Sequence, residues 1–307
     1  MTEDLYPSRK KDRPDRIRRL DPVVYADSYK GGPIGPDLLR AYGARGFMVL
    51  DDLFSPDEVE QMIDEVTRLR EERAWLETDS VVSEPGDDTA SAVRSVFRVH
   101  DQSEHFARLA RDPRLLEIAE FILDDEVYIH QSRVNYKPAF KGKEFYWHSD
   151  FETWHTEDGM PRMRALSMSV MLTDNHPQAG PVMFIPGSHK TFVSCVGETP
   201  EENYRNSLVR QSVGVPDKDS LAILAHERGI AGPAPAAGSV VVFDCNTLHG
   251  SGGNITPFPR SNAFFVYNAW SNRLQAPFSA PSPRPPFVAE RSPGRPLSYE
   301  RREKRAA

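Results

Sequence analysis

The first feature of this chain that could do chemistry is a histidine and a carboxylate two residues apart, at the end of an aromatic run. The run reads Phe145-Tyr146-Trp147-His148-Ser149-Asp150-Phe151-Glu152-Thr153-Trp154-His155. In an extended backbone, residues two apart project to the same side, so His148 and Asp150 can reach one point. Joined by a distant histidine, they would make a two-histidine, one-carboxylate face, which holds Fe(II) and leaves positions open for other ligands. Spacing alone decides little. With 9 His and 45 acidic residues in 307 positions, chance supplies about one such pair. A second pair, His155-x-Glu157, runs into the polar turn Glu157-Asp158-Gly159, so the metal is expected at the first. His155 is then expected beside the site or at the surface.

The third ligand should come from a later strand. Ser239-Val240-Val241-Val242-Phe243-Asp244 has strand composition, and the chain continues through Cys245-Asn246-Thr247-Leu248 to His249-Gly250-Ser251. A histidine at a strand end is, by itself, more often a hydrogen-bonded structural residue. Arg260 changes that weighting. It lies eleven residues on, just before Asn262-Ala263-Phe264-Phe265-Val266-Tyr267. An arginine buried at a strand start is costly without an anion, and its planar fork suits a carboxylate. A surface salt bridge is the plainer alternative.

These residues need a scaffold. Pro36-Asp37-Leu38-Leu39 opens a short helix, and 46–50 reads as a strand. Ser55-Pro56-Asp57-Glu58 is a helix start with a capping box, followed at helical spacing by Val59, Met62, Ile63, Val66 and Leu69. Another helix begins at Asp112-Pro113, with Leu115, Leu116, Ile118, Ala119, Ile122 and Leu123 facing inward. After Glu126 the texture changes to short β-branched and aromatic segments: 127–137, 165–173, 182–185, 239–243 and 263–267. Gly/Pro/Asn/Asp clusters separate them. Many short strands after a helical start imply a mainly β fold, a jelly-roll barrel with helices packed outside it. A helix is expected over 221–228 within a long insertion. The organisation read from this is a loose charged arm over 1–30, one domain over 31–280, and an extended Pro/Arg-rich tail over 281–307.

Composition narrows the function. The net charge is −7, which disfavours nucleic acid, since phosphate binding needs a basic face. Two cysteines make no disulfide framework and fit a reducing compartment. No apolar run approaches membrane-span length, and the first residues lack a signal-peptide core, so a cytoplasmic protein with no membrane partner is expected.

His-x-Asp, a later His and an Arg soon after resemble the Fe(II)/2-oxoglutarate dioxygenases. Gly180-Pro181-Val182-Met183-Phe184-Ile185-Pro186-Gly187-Ser188-His189 is similar to a segment of their phytanoyl-CoA dioxygenase branch. His130-Gln131-Ser132-Arg133-Val134-Asn135-Tyr136-Lys137-Pro138, together with 145–167, resembles the signature of the ectoine hydroxylases. That resemblance implies a double-stranded β-helix, a cytoplasmic homodimer, Fe(II), and 2-oxoglutarate and O2 as co-substrates. The implied reaction turns ectoine into 5-hydroxyectoine, with succinate and CO2 released, in osmolyte biosynthesis. By the same resemblance, His148, Asp150 and His249 match the iron ligands, and Lys137, Ser251 and Arg260 match contacts of 2-oxoglutarate. Gln131, Trp154, Ser167, Phe243 and Asn262 match positions around ectoine, with Arg133 and Asn135 nearby. Asp150 points to hydroxylation, because related halogenases replace this carboxylate.

Ectoine carries a delocalised cation and a carboxylate. Aromatic faces such as Trp154 or Phe243 suit the cation, and Gln131, Ser167 or Asn262 can orient the rest. Plainer roles stand beside these: Phe243 in the barrel core, Ser167 as an alternating strand residue, Lys137 at the surface. Other functions remain open at this level. They are a hydroxylase of the same branch acting on another small polar or acyl substrate, a non-catalytic cupin-like metal-binding protein, and a zinc hydrolase using Cys245 and His249. The loops 78–90 and 197–216 are candidates to cover the site.

Overall fold

A computed structural model describes residues 3–71, 79–83 and 93–299. The helices begin where local chemistry places them. Pro36 opens Pro36–Arg45, and Gly46 closes it at φ 85°, returning its N–H to the Tyr42 carbonyl. Pro56–Glu71 starts with a reciprocal capping box, in which Ser55 N–H donates to Glu58 Oε2 (2.8 Å) and Glu58 N–H to Ser55 Oγ (3.3 Å). Val59, Met62, Val66 and Leu69 are buried, whereas Ile63, at the edge of the apolar stripe, is 40% exposed. Asp112 caps Pro113–Leu123, and all six expected inward residues are buried. The insertion helix spans Lys218–Arg228.

Seven strands form the large antiparallel sheet, in the order β2 (Phe47–Leu50), β10 (Val240–Asp244), β7 (Ala165–Met171), β12 (Arg260–Ala269), β5 (Val127–Lys137), β4 (Val93–Phe97), β3 (Val81–Ser83). A smaller antiparallel sheet runs β6 (Phe145–His148), β11 (His249–Ser251), β8 (Val182–Phe184). Phe184 stacks on Phe47 (centroids 4.6 Å apart) and lies 5.3 Å from Phe243, so the small sheet packs on one face of the large one. This is a cupin-like jelly roll with the helices outside.

Alternation sorts the large sheet into two faces. Val240, Val242, Leu166, Met168, Phe265 and Tyr267 pack with the helices. Val241, Phe243, Phe264 and Val266 face the other way, towards Phe184. β5 keeps this order only by a bulge. Tyr267 pairs with Ile129 and Val266 with Gln131, which leaves His130 as an extra residue. Val127 and Ile129 face the helices before the bulge, and Val134 does so after it. Gln131, Arg133, Asn135 and Lys137 are thereby turned together into the interior.

The charged N-terminal segment is not a loose arm in its described part. Tyr6 is fully buried, and β1 (Arg16–Arg18) pairs with β9 (Thr191–Val193). Arg19 Nη1 meets Asp244 Oδ1 at 2.7 Å, both side chains being buried. Charges that look solvated in the sequence are matched by carboxylates inside the fold. In its described part the Pro-rich end likewise has no regular structure and still packs: Val288 and Ala289 are fully buried. Residues 1–2, 78, 84–90 and 300–307 of the arm, the 78–90 loop and the tail lie outside the described residues. Among the described residues, no helix is long and apolar enough to cross a membrane.

Candidate active site

His148 ends β6, Ser149 stays extended (φ −109°, ψ 129°), and Asp150 opens the helical turn Asp150–Thr153. Projection to one side therefore survives the change from strand to helix. His249 opens β11 and is paired directly with His148 across the β6–β11 ladder. Their rings are 4.2 Å apart between centroids. His148 Nε2 lies 3.6 Å from Asp150 Oδ1, and His249 Nε2 lies 4.0 Å from Asp150 Oδ2. One ligand atom from each of the three falls within 4.8 Å of the others, and no other such group occurs among the described residues.

Both imidazoles are oriented by the backbone. His148 Nδ1 is 2.8 Å from the Tyr146 carbonyl, and His249 Nδ1 is 2.9 Å from that of Thr247. A carbonyl only accepts, so each Nδ1 carries the proton and each Nε2 lone pair points to the centre. Burial and the neighbouring His148 push His249 down to about 4, which keeps it neutral and able to ligate. Burial alone would raise the Asp150 carboxyl, but His249, His148 and Arg133 outweigh it and hold Asp150 well below the usual carboxylate range. Two imidazole nitrogens and one carboxylate fit a divalent ion with an open coordination face, as in non-haem iron sites. Cys245 is fully buried and takes no part in the group, which removes the zinc-hydrolase set.

A cavity of about 190 Å³ opens beside the triad. Lys137, last in β5, and Arg260, first in β12, line it and are register partners. Lys137 Nζ donates to Ser251 Oγ at 3.0 Å and to the Gly252 carbonyl at 2.5 Å. Arg260 is pushed down to about 10 by burial, and its buried Nε has no hydrogen-bond partner. A buried guanidinium in that state calls for an anion. Further in, Arg133 lies over the Phe264 ring at 4.0 Å and donates to Gln131 Oε1, while Gln131 Nε2 donates to the Val288 carbonyl at 2.7 Å. Trp154, Phe243, Asn135 and Asn262 complete the expected lining.

Ser167 is the exception among the expected contacts. It is fully buried and absent from the cavity wall, and its Oγ lies 3.4 Å from Asp150 Oδ2. Ser169, two residues on along the same face of β7, lines the cavity instead. His155 is neither at the surface nor in the metal group: it is fully buried and stacks on Phe278 with centroids 4.0 Å apart. Arg94, Thr153, Gln211 and Arg284 also line the cavity and went unread. Thr153 adjoins Trp154 in the quoted motif, but no local pattern marks an arginine within a Pro-rich tail. The 197–216 stretch contributes Ser207, Leu208 and Gln211 to the wall.

A jelly roll with a His-Asp-His triad and, in the same cavity wall, an arginine whose buried Nε has no partner defines the class. A model of the phytanoyl-CoA dioxygenase (PhyH) family matches residues 42–262, and the chain belongs to that family. It is 54% identical to an ectoine dioxygenase of Sphingopyxis alaskensis over 97% of both chains. The crystal structure of EctD from S. alaskensis with 2-oxoglutarate and 5-hydroxyectoine superposes with a TM-score of 0.88 and 51% identity, covering 97% of this chain and 98% of that one. The same protein with bound Fe gives a TM-score of 0.87 at 51% identity, with the same coverage.

Proposed function

We propose that this chain hydroxylates ectoine to 5-hydroxyectoine, using Fe(II), 2-oxoglutarate and O2 and releasing succinate and CO2. The observation that carries the reading is the His148–Asp150–His249 triad sharing one cavity with Arg260, whose buried Nε has no partner. Relatives named for the same substrate, alike over nearly the whole chain, support it. Bound iron with 2-oxoglutarate and O2 supplies the oxidising chemistry that replaces C–H by C–OH, which no acid–base side chain can supply.

The rest is the work of the chain itself. His148, Asp150 and His249 hold the metal. Arg260, Lys137 and Ser251 hold the distal carboxylate of 2-oxoglutarate, the fork of Arg260 fixing its direction. Trp154 and Phe243 present aromatic faces to the ectoine cation. Gln131 and Asn262 orient its polar atoms, with Arg133 and Asn135 beside them. Ser167 is assigned to Asp150, which its Oγ approaches at 3.4 Å, and not to the substrate. The small cavity favours a compact zwitterion over a long acyl chain. The enzyme works as a cytoplasmic homodimer, each subunit one catalytic domain over 31–280 with its ends packed against it.

The test is anaerobic addition of Fe(II) and 2-oxoglutarate, then ectoine and O2, with products followed by mass. Ectoine should gain one oxygen atom, matched by succinate. Succinate release driven by proline or an acyl-CoA, but not by ectoine, would transfer the reading to another member of the branch. Binding of Fe(II) without O2 consumption would make the chain a metal-binding protein.

A further inference from the structure

The family match over 42–262 leaves both chain ends outside it, yet those ends grip the segment that bears Asp150 and Trp154. The Asp150–Thr153 turn runs straight into a π-helical turn, Trp154–Asp158. Arg9 reaches it from the N-terminal segment. Its Nε and Nη2 fork over the two oxygens of Glu152 at 3.0 and 2.6 Å, and its Nη1 donates to Glu157 Oε1 at 2.7 Å. The side chains of Arg9, Glu152 and Glu157 are 0%, 1% and 2% exposed.

Sharing one guanidinium between residues five apart is a demand on helix geometry. At 3.6 residues per turn, such positions point about 140° away from each other. A wide turn that closes from i to i+5 brings them towards one side, and such turns are rare and concentrated at functional sites. Arg9 is itself held in an unfavourable backbone state. Its φ is 59°, in the left-handed region, and its N–H is fixed on the Cys195 carbonyl at 2.8 Å. Gly214 closes over the fork: a Cβ there would lie 2.3 Å from Arg9 Nη2 and 2.5 Å from Glu152 Oε2.

We propose that Arg9 is a positioning residue, which locks the wide register of Trp154–Asp158 and so fixes how Trp154, at the head of that turn, faces the cavity. Without it, two buried carboxylates lose their counter-ion and the wide turn loses its tie. A return to α spacing would change the angle between Trp154 and Asp158, which Arg284 anchors, and so shift Trp154 in the cavity wall; small misplacements near a reacting centre are costly. The kinetic part of this inference rests on the ectoine reading above.

The test compares full-length wild type, Arg9→Met, and the charge-balanced Arg9→Met/Glu152→Gln/Glu157→Gln. Each is followed by thermal midpoint, amide hydrogen exchange over 154–160 without metal, and KM and kcat for ectoine with Fe(II) and 2-oxoglutarate. Arg9→Met should lower the midpoint and raise KM on the order of tenfold. The balanced variant should regain the midpoint while KM stays raised and exchange over 154–160 stays fast. Recovery of KM and protection together with the midpoint would reduce Arg9 to a stabilising ion pair and overturn the proposal. Should Arg9→Met not fold, Gly214→Ala disturbs the fork with every charge kept, and an unchanged KM and exchange pattern there would overturn it equally. Failure of wild type to oxidise ectoine would refute the substrate reading instead, and the exchange data would still decide the role of Arg9.

Discussion

Lys137 and Arg260 stand directly opposite one another across the β5–β12 pair, and both line the cavity. Lys137 is tied to Ser251 and Gly252, whereas Arg260 keeps a buried Nε without a partner. A planar fork in this state suits a carboxylate. Replacing one partner of a buried charge pair costs about 2–5 kcal/mol. Arg260→Gln should therefore raise KM for 2-oxoglutarate by about a hundredfold, read from succinate release, with ectoine KM little changed. Arg260→Lys keeps the charge without the planar fork and should still be impaired. An unaltered KM would take Arg260 out of the co-substrate site.

The triad predicts a separation between activity and folding. Outside the triad, the hydrogen bonds of His148 and His249 go to backbone carbonyls. His148→Ala and Asp150→Ala should each lose iron binding and all turnover, while the thermal midpoint of the metal-free protein stays close to wild type. Normal hydroxylation by either variant would show that the metal sits elsewhere.

Ser167 offers a finer test. Its hydroxyl meets Asp150 from behind and does not reach the cavity. Groups supporting a metal ligand typically change metal affinity by about 10–100-fold. Ser167→Ala should weaken Fe(II) binding within that range and leave ectoine KM unchanged at saturating iron. A raised ectoine KM with normal iron affinity would restore it to the substrate contacts.

The parts of the fold legible in the sequence are those encoded locally. Ser55, Pro56 and Glu58 spell a helix start whatever surrounds them, and the β-branched run of β10 spells a strand. His148 and Asp150 were readable because two-residue spacing on an extended backbone is itself a geometry. Pairing His249 with His148 needed the ladder between β6 and β11, which no local pattern contains. Ser167 shows the limit: alternation gives the face of β7, but only the third dimension says that its hydroxyl stops behind Asp150. The chain ends are illegible for a related reason. Arg9, Arg19 and Arg284 look solvated until the partners Glu152, Asp244 and Asp158 are brought to them from far along the chain.

The capping box carries a pH signature. Hydrogen bonding to Arg114 is the largest influence on Glu58, opposed by burial and joined by the Ser55 N–H, and together they hold its carboxyl down at about 2. A depressed pKa stabilises the fold above the unfolded value, and that stability disappears as pH falls through the folded one. Glu58 is 38% exposed, so solvent screening keeps the effect to about 1 kcal/mol or less. Glu58→Gln should lower the thermal midpoint at neutral pH, and the gap should close between pH 4.5 and about 2. A gap that persists at the acid end would mean that the box stabilises through shape and not through charge.

Arg284 and Asp158 test whether the Pro-rich end belongs to the fold. Arg284 Nε and Nη2 fork onto the two Asp158 oxygens at 2.7 and 2.6 Å, and His130 Nε2 lies 3.2 Å from Oδ2 of the same carboxylate. With side chains 7% and 0% exposed, the pair is effectively out of water. Breaking a buried pair from one side costs about 3–5 kcal/mol because the other charge stays stranded. Asp158→Asn should therefore shift the urea midpoint far more than a surface substitution does. Asp158→Leu/Arg284→Met, which removes both charges, should recover most of that loss. Because Arg284 also lines the cavity, the double variant should fold stably and still bind ectoine poorly. Loss of less than about 1 kcal/mol in Asp158→Asn would instead mark the contact as one the folded chain does not need.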